Sequence, residues 1–240
     1  ILRLGRALSW KPTDAMVRDT EFGIIGERLI ADLQRQTRDI VALAEAPDAT
    51  RKLAQLKAWL ADYVEDAEGL LGEFGFRRDS AWGEAIVRTR ADVARAIGDT
   101  LAGISDTVLA VLPQTQRAGS RRLLATPDLT RLPEPATVTA ALDGARLLFF
   151  LMKRGPRHGF GVAARETVDY LGVEIERRAA QLLDELRSAP QNPVIPAQIE
   201  AAKQIADSLF EDGRGELLLR RLRNAQYAAN SRGGVYGLTS

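Results

Sequence analysis

The chain has 240 residues, 45% of them apolar and 27% charged, which is enough for one large or two small packed domains and excludes disorder by composition. Lys and Arg number 33 against 32 Asp and Glu, so the net charge of +1 carries no electrostatic footprint for nucleic acid. The absence of cysteine excludes disulfides, thiolate metal sites and a cysteine nucleophile, and a single histidine excludes multi-His zinc sites and the paired Glu-x-x-His of di-iron bundles.

Aromatics are only 6%, and the apolar content leans on Ala, Leu, Val and Ile, which suits helix packed on helix. Basic residues are mostly Arg, the mark of a GC-rich bacterial coding sequence. The chain starts at Ile1 and shows no signal peptide or membrane span. It reads as a trimmed or processed chain, or as a domain of something longer, in the cytoplasm or the periplasm.

Ile1 to Pro12 is a basic, apolar lead whose Leu2, Leu4 and Leu8 are expected to dock on the remainder. Thr13 or Asp14 caps a first long helix that runs to Ala46, before Pro47. Phe22, Ile25, Leu29, Leu33, Gln36, Ile40 and Leu43 alternate by three and four, close to a heptad seam, with Gly23 and Gly26 beside it. Asp48 caps a second helix through Leu53, Leu56, Leu60, Tyr63, Leu70 and Leu71. Asp79 or Ser80 caps a third, with Trp82, Ile86, Val93, Ile97, Leu101, Ile104, Val108 and Val111 inward, ended by Pro113.

Gln114 to Pro135 is a connector holding Pro127, Pro133, Pro135 and four arginines, with at most a helical turn near Arg121 to Ala125 and no strand. A fourth helix, Ala136 to Met152, ends in six consecutive apolar residues from Leu147. Helices of that kind are buried in a bundle or cross a membrane. A span needs about 20 apolar residues, and Asp143 and Arg146 interrupt this shorter run, so it reads as the buried central helix. Lys153, Arg154, Gly155 and Pro156 stop it: cations at the C-terminal dipole, a glycine, then proline.

After the turn, a fifth helix runs to about Ser188, with Val168, Leu171, Ile175, Ala179, Leu182 and Leu186 on one face. Pro190 to Pro196 is held extended by its prolines. Ala197 to Phe210 is helical with Ile199, Ala202, Ile205 and Leu209 inward. Glu211 to Gly215 breaks it, and a basic, leucine-rich helix follows from Glu216 to Ala229. The glycine-rich tail 230–240 is expected to be loosely held.

Three groups of residues could carry function. Lys153, Arg154, Arg157, His158, Gly159 and Gly161 place cations and glycines ahead of a helix N-terminus, where free N–H groups and the dipole favour an anion. The spacing matches neither a Walker loop nor a dinucleotide fingerprint, and His158, with no Ser or Asp at a recognisable spacing, reads as an exposed turn residue. Arg220, Arg221 and Arg223 make the last helix a basic amphipathic surface for a protein or an anionic membrane.

The third group is acidic: Asp62, Glu65, Asp66 and Glu68 on the second helix, with Asp99 on the third. Paired carboxylates on facing helices can bind Mg²⁺ for diphosphate chemistry. Glu65-x-x-Glu68 followed by Asp99 and Asp106 resembles the all-α nucleotide pyrophosphohydrolases, although Ala96 stands where that family has a Glu three residues before the later aspartate. Asp62-x-x-x-Asp66 is similar to the aspartate-rich motif of isoprenoid synthases, without the second such motif. The resemblance implies Asp62, Glu65, Glu68 and Asp99 as metal ligands.

The expected fold is all-α, an elongated antiparallel bundle of about six long helices in one domain. Lobe-like halves at 13–113 and 136–229 would be joined by the 114–135 connector. The expected function is a non-catalytic adaptor, scaffold or regulatory domain that binds another protein or a second copy, with no cofactor. One alternative is a Mg²⁺-dependent hydrolase or transferase acting on a nucleotide or diphosphate. The other is a sensor that lies on a membrane surface, or takes an anionic ligand, without spanning.

Overall fold

A computed structural model describes residues 13–18, 20–46, 48, 52–77, 79–118 and 123–233. The fold is all-α apart from one small hairpin. In chain order the elements are α1 (Asp14–Arg18), α2 (Glu21–Ala44), α3 (Leu53–Glu73), α4 (Ala81–Leu109), β1 (Gln114–Ala118), β2 (Leu123–Pro127), α5 (Pro135–Arg154), a 3₁₀ turn (Gly155–Arg157), α6 (Gly161–Ser188), α7 (Val194–Leu209) and α8 (Arg214–Gly233). The lead expected to dock, Ile1 to Pro12, lies outside the described residues, as do Arg121 and Arg122.

The chain forms two compact units, and neither is continuous. The first comprises residues 1–100 and 151–162, the second residues 101–150 and 163–240. The boundaries fall inside α4, α5 and α6.

In the first unit the expected single helix to Ala46 is broken. The Thr20 hydroxyl donates to Val17 O at 2.6 Å, and Thr20 sits extended at φ −112°, so α1 ends and α2 starts anew. The seam of α2 is also rotated. Leu33, Ile40 and Leu43 are buried as expected, but Gly23, Gly26, Ile30 and Thr37 complete the stripe, while Phe22, Ile25 and Leu29 are 41–55% exposed. The cause is Trp82, buried at 5% exposure, whose indole lies on Gly26: a Cβ there would stand 2.1 Å from its Cη2. Phe74 and Phe76 also meet that indole edge-on, at ring-centroid distances of 6.2 and 6.3 Å.

The apolar positions of α3 and α4 pack as their spacing requires. Leu53, Leu56, Leu60, Tyr63 and Leu70 are buried on α3, with Leu71 at the margin, and Trp82, Ile86, Val93 and Ile97 on α4. Asp48 does not cap α3, which begins at Leu53; its carboxylate pairs with Lys52 at 3.0 Å instead. Ser80 is the cap of α4, its Oγ accepting from Gly83 N at 3.1 Å.

In the second unit the connector is not simply a loop. β1 and β2 pair antiparallel, with Gln114 opposite Pro127 and Ala118 opposite Leu123, which corrects both the expected absence of strands and the helical turn near Ala125. Side chains of α6 hold the ribbon. Gln181 accepts from Gln114 at 2.7 Å and donates to Ala125 O at 3.3 Å, and Arg177 donates to Gln114 at 3.1 Å. Arg178 reaches past them to Leu109 O at 3.3 Å and Leu112 O at 2.9 Å, serving carbonyls at the end of α4. Glu174 steadies Arg177 and Arg178, and their guanidinium hydrogen bonds hold its carboxyl below the usual range.

On α5, Leu147, Leu148 and Leu151 are wholly buried, while Phe149, Phe150 and Met152 are half-buried. The helical run Pro135–Arg157 has 23 residues and a mean hydropathy of 1.3 over its most apolar window, with 33% of that window buried. It is therefore long and apolar enough to cross a membrane by length and composition, contrary to its reading as too short. All six expected apolar positions of α6 and all four of α7 are buried. α7 starts earlier than expected, at Val194: Asn192 Oδ1 accepts from Val194 N at 2.9 Å, and Pro196 falls in the first turn, where its missing N–H costs nothing. α8 extends through Gly233, so residues 230–233 of the expected tail are helical.

Two glycine-to-alanine substitutions should act in opposite directions. Alanine is favoured over glycine inside a helix by about 1 kcal/mol, and overpacking a fixed core costs about 1–3 kcal/mol. Gly26→Ala, against the Trp82 indole, should lose on the order of 1 kcal/mol net. Gly69→Ala, with nothing within 4 Å of its added Cβ, should gain about 0.5–1 kcal/mol. Urea unfolding of both variants checks the pair; equal gains would show that the indole does not depend on Gly26.

Candidate functional site

The turn between α5 and α6 is shaped by close approach. A Cβ on Gly161 would stand 2.5 Å from Pro156 N, and Gly159 adopts φ +92°. This tight path folds His158 and Phe160 inward. The imidazole is not exposed, as its basic and glycine-rich surroundings suggested, but is 1% exposed. It stacks on Phe160 at 6.0 Å between ring centroids and meets Tyr63 edge-on at 6.3 Å.

Glu68 reaches the ring from α3, its Oε1 at 3.5 Å from Nε2, while its Oε2 pairs with Arg154 Nη2 at 3.1 Å. A 3.5 Å approach is electrostatic rather than a formed hydrogen bond, and among the described residues both imidazole nitrogens lack a hydrogen-bond partner. So does the buried Tyr63 hydroxyl. Its neighbour Thr89 has committed its own hydroxyl to Ile86 O at 3.0 Å. Arg90 donates to the carbonyl of Arg157, tying α4 to the turn.

Burial pushes the His158 pKa below its usual 6.5, and the Arg90 and Arg154 charges push the same way. Glu68 opposes them without reversing the shift. Burial likewise raises the Tyr63 phenol above its ordinary value, with Thr89 and Arg90 offsetting part of the rise. The cluster therefore holds a neutral imidazole and a neutral phenol inside a ring of charged groups. An imidazole, a carboxylate and a phenol could exchange protons in principle. With His158 sealed at 1% exposure, however, the cluster works here as a clasp for the turn.

Of the remaining expected residues in the turn, Lys153, Arg154 and Arg157 are exposed, with Arg154 engaged by Glu68. The acidic candidates do not converge. Asp62, Glu65 and Asp99 are exposed, Glu68 is held by Arg154, and Asp66 accepts from Gln36 at 2.6 Å. Among the described residues no three His, Cys, Asp or Glu side chains are placed to hold one metal ion.

On α8, Arg220, Arg221 and Arg223 are exposed and, among the described residues, make no ion pair. Arg221 lines a cleft of about 640 Å³ with Leu183 and Arg187 of α6. The sequence reading missed this cleft and the Tyr63–Glu68–His158 cluster. The signal for the cluster was Phe160, whose apolar ring two residues past the histidine had to be buried somewhere.

The class that fold and site define is an all-α chain with a buried polar clasp at the α5–α6 turn. The chain matches no protein-family model, no curated protein and no solved structure.

The single histidine makes its burial measurable. A pKa lowered in the folded state means that protons bind the unfolded chain first, so stability is complete above 6.5 and is lost as pH falls below it. The unfolding free energy should decline between about pH 6.5 and about pH 5, before carboxylates titrate. His158→Phe, which removes two unpartnered nitrogens, should flatten that slope. An unchanged slope in the variant would place the titration elsewhere.

Proposed function

We propose that the chain is a helical protein-interaction domain, an adaptor or assembly piece without a catalytic step of its own. The observation that carries this reading is the apolar flank of α2. Phe22, Ile25 and Leu29 lie at i, i+3 and i+7 and are 41%, 55% and 41% exposed, with Met16 at 56% and Ile24 at 73% nearby in sequence. Leaving a large aliphatic or aromatic side chain in water forgoes about 1.5–3 kcal/mol of burial each. Clustered exposure of this kind marks a surface that another protein covers. Beside it Gly26 faces the Trp82 indole and Gly23 faces the Arg18 backbone, and this inward glycine stripe leaves Phe22, Ile25 and Leu29 outside.

The occupant is a protein with its own apolar face, either another polypeptide or a second copy. A photo-crosslinking residue in place of Ile24 should form an adduct with that protein in the producing cell. Ile25→Glu combined with Leu29→Glu should abolish the adduct and shift the unfolding free energy by no more than about 0.5 kcal/mol, because both sites are solvent-exposed. An adduct that persists in the double variant, or no adduct with wild type, would overturn the reading.

A further inference from the structure

We infer that the cleft between α6 and α8 in the second unit is a docking groove for an acidic amphipathic helix of a partner protein. This rests on the interaction reading only in taking the ligand to be a protein. The surface is a different one, formed by second-unit residues alone.

The groove arises because the start of α8 touches the middle of α6 and the two helices then diverge. Where they touch they are locked. A Cβ on Gly172 would stand 2.9 Å from Arg214 Nη1, the Arg214 guanidinium lies 4.3 Å over the Phe210 ring, and it approaches Glu176 at 3.8 Å. The free space there is about 10 Å³. Farther along, between Leu183 and Arg187 of α6 and Arg221, Asn224, Ala225 and Ala228 of α8, it widens to about 640 Å³. α8 packs on α7, and its Leu218 and Leu222 are buried, whereas Arg221, Asn224 and Ala228 on the cleft-facing flank are exposed.

Three features select the occupant. The floor is aliphatic and shallow, Leu183 against Ala225, and the small side chains let another helix backbone come close. By volume alone a small molecule would fit, since such sites occupy about 300–1,000 Å³. Those sites enclose their ligand and orient it with buried polar groups, whereas Arg187, Arg221 and Asn224 are all exposed on the rim.

The third feature is charge. Arg187 stands on one wall and Arg221 on the other, and Arg220 and Arg223 continue along α8. Among the described residues only Arg187 of these is answered, by Asp184 at 3.0 Å. A helix with apolar anchors at i, i+3 or i+4, and i+7 and with carboxylates on its flanks meets both the floor and the rim.

The absence of cysteine makes the test clean, because one introduced thiol carries the only label. The probe is a fluorescent synthetic helix with Leu at i, i+3, i+4 and i+7 and Glu elsewhere; its control carries Lys in place of Glu. The Glu helix should bind the full chain, more weakly at high salt, and quench a dye on Ala228→Cys. Arg187→Glu with Arg221→Glu should weaken it roughly tenfold or more and favour the Lys helix. Ala228→Trp should abolish binding while leaving the circular dichroism unchanged.

Equal binding of both helices, binding that survives Ala228→Trp, or no binding of the Glu helix would overturn the assignment. So would a dimer lost in Ala228→Trp, which would make the occupant a second copy. Binding to anionic vesicles but not to the Glu helix would make the surface a lipid one and overturn it as well. Ile25→Glu with Leu29→Glu should leave the peptide affinity untouched, so failure here and failure at the α2 flank are read separately.

Discussion

Gly26 has no side chain, and the Trp82 indole occupies the space one would take. From that contact the rotation of α2 follows. The largest ring on α4 can be buried only where the facing helix is bare, so α2 turns its glycines inward. Ile30, Leu33, Thr37 and Ile40 then follow on the same stripe by helical period. The same rotation carries Phe22, Ile25 and Leu29 out to solvent. One steric requirement thus sets both the core of the first unit and the surface proposed for its partner.

Much of the fold was legible because buried helices leave a period in the sequence. Val168, Leu171, Ile175, Ala179, Leu182 and Leu186 are the clearest case, and every one is buried. The rotation of α2 was not legible, because glycine carries no hydropathy signal and its role depends on a tryptophan 56 residues away. The hairpin was missed for a related reason. Gln114, Thr115, Gln116 and Arg117 show no alternation of apolar and polar side chains, and what holds the ribbon is a set of glutamine and arginine contacts from α6. His158 looked exposed among Arg157, Gly159 and Pro156, and its burial follows from the path of the turn rather than from its neighbours in sequence.

Charge plays different parts in different places. Among the described residues many ion pairs join residues three or four apart on exposed helix faces, such as Arg28 with Asp32 and Arg187 with Asp184. Pairs of that kind contribute about 0–1 kcal/mol each. Glu174 and Arg178 differ, being 17% and 19% exposed, and there the guanidinium also serves the backbone carbonyls of Leu109 and Leu112. The abundance of arginine is therefore not uniform in purpose: some serve backbone groups, some pair along a helix, and Arg220, Arg221 and Arg223 are exposed and meet no carboxylate among the described residues.

The interleaving of the two units constrains how the polypeptide can be handled. Residues 151–162 return Leu151 and Phe160 to a core begun by the first hundred residues, after the chain has already started the other unit. During synthesis the first unit therefore stays unfinished until the ribosome has passed the α5–α6 turn. Residues 1–100 excised alone would lack the 151–162 segment of their unit, and a protease cut near Thr100 would sever α4 and divide the first unit between the two fragments.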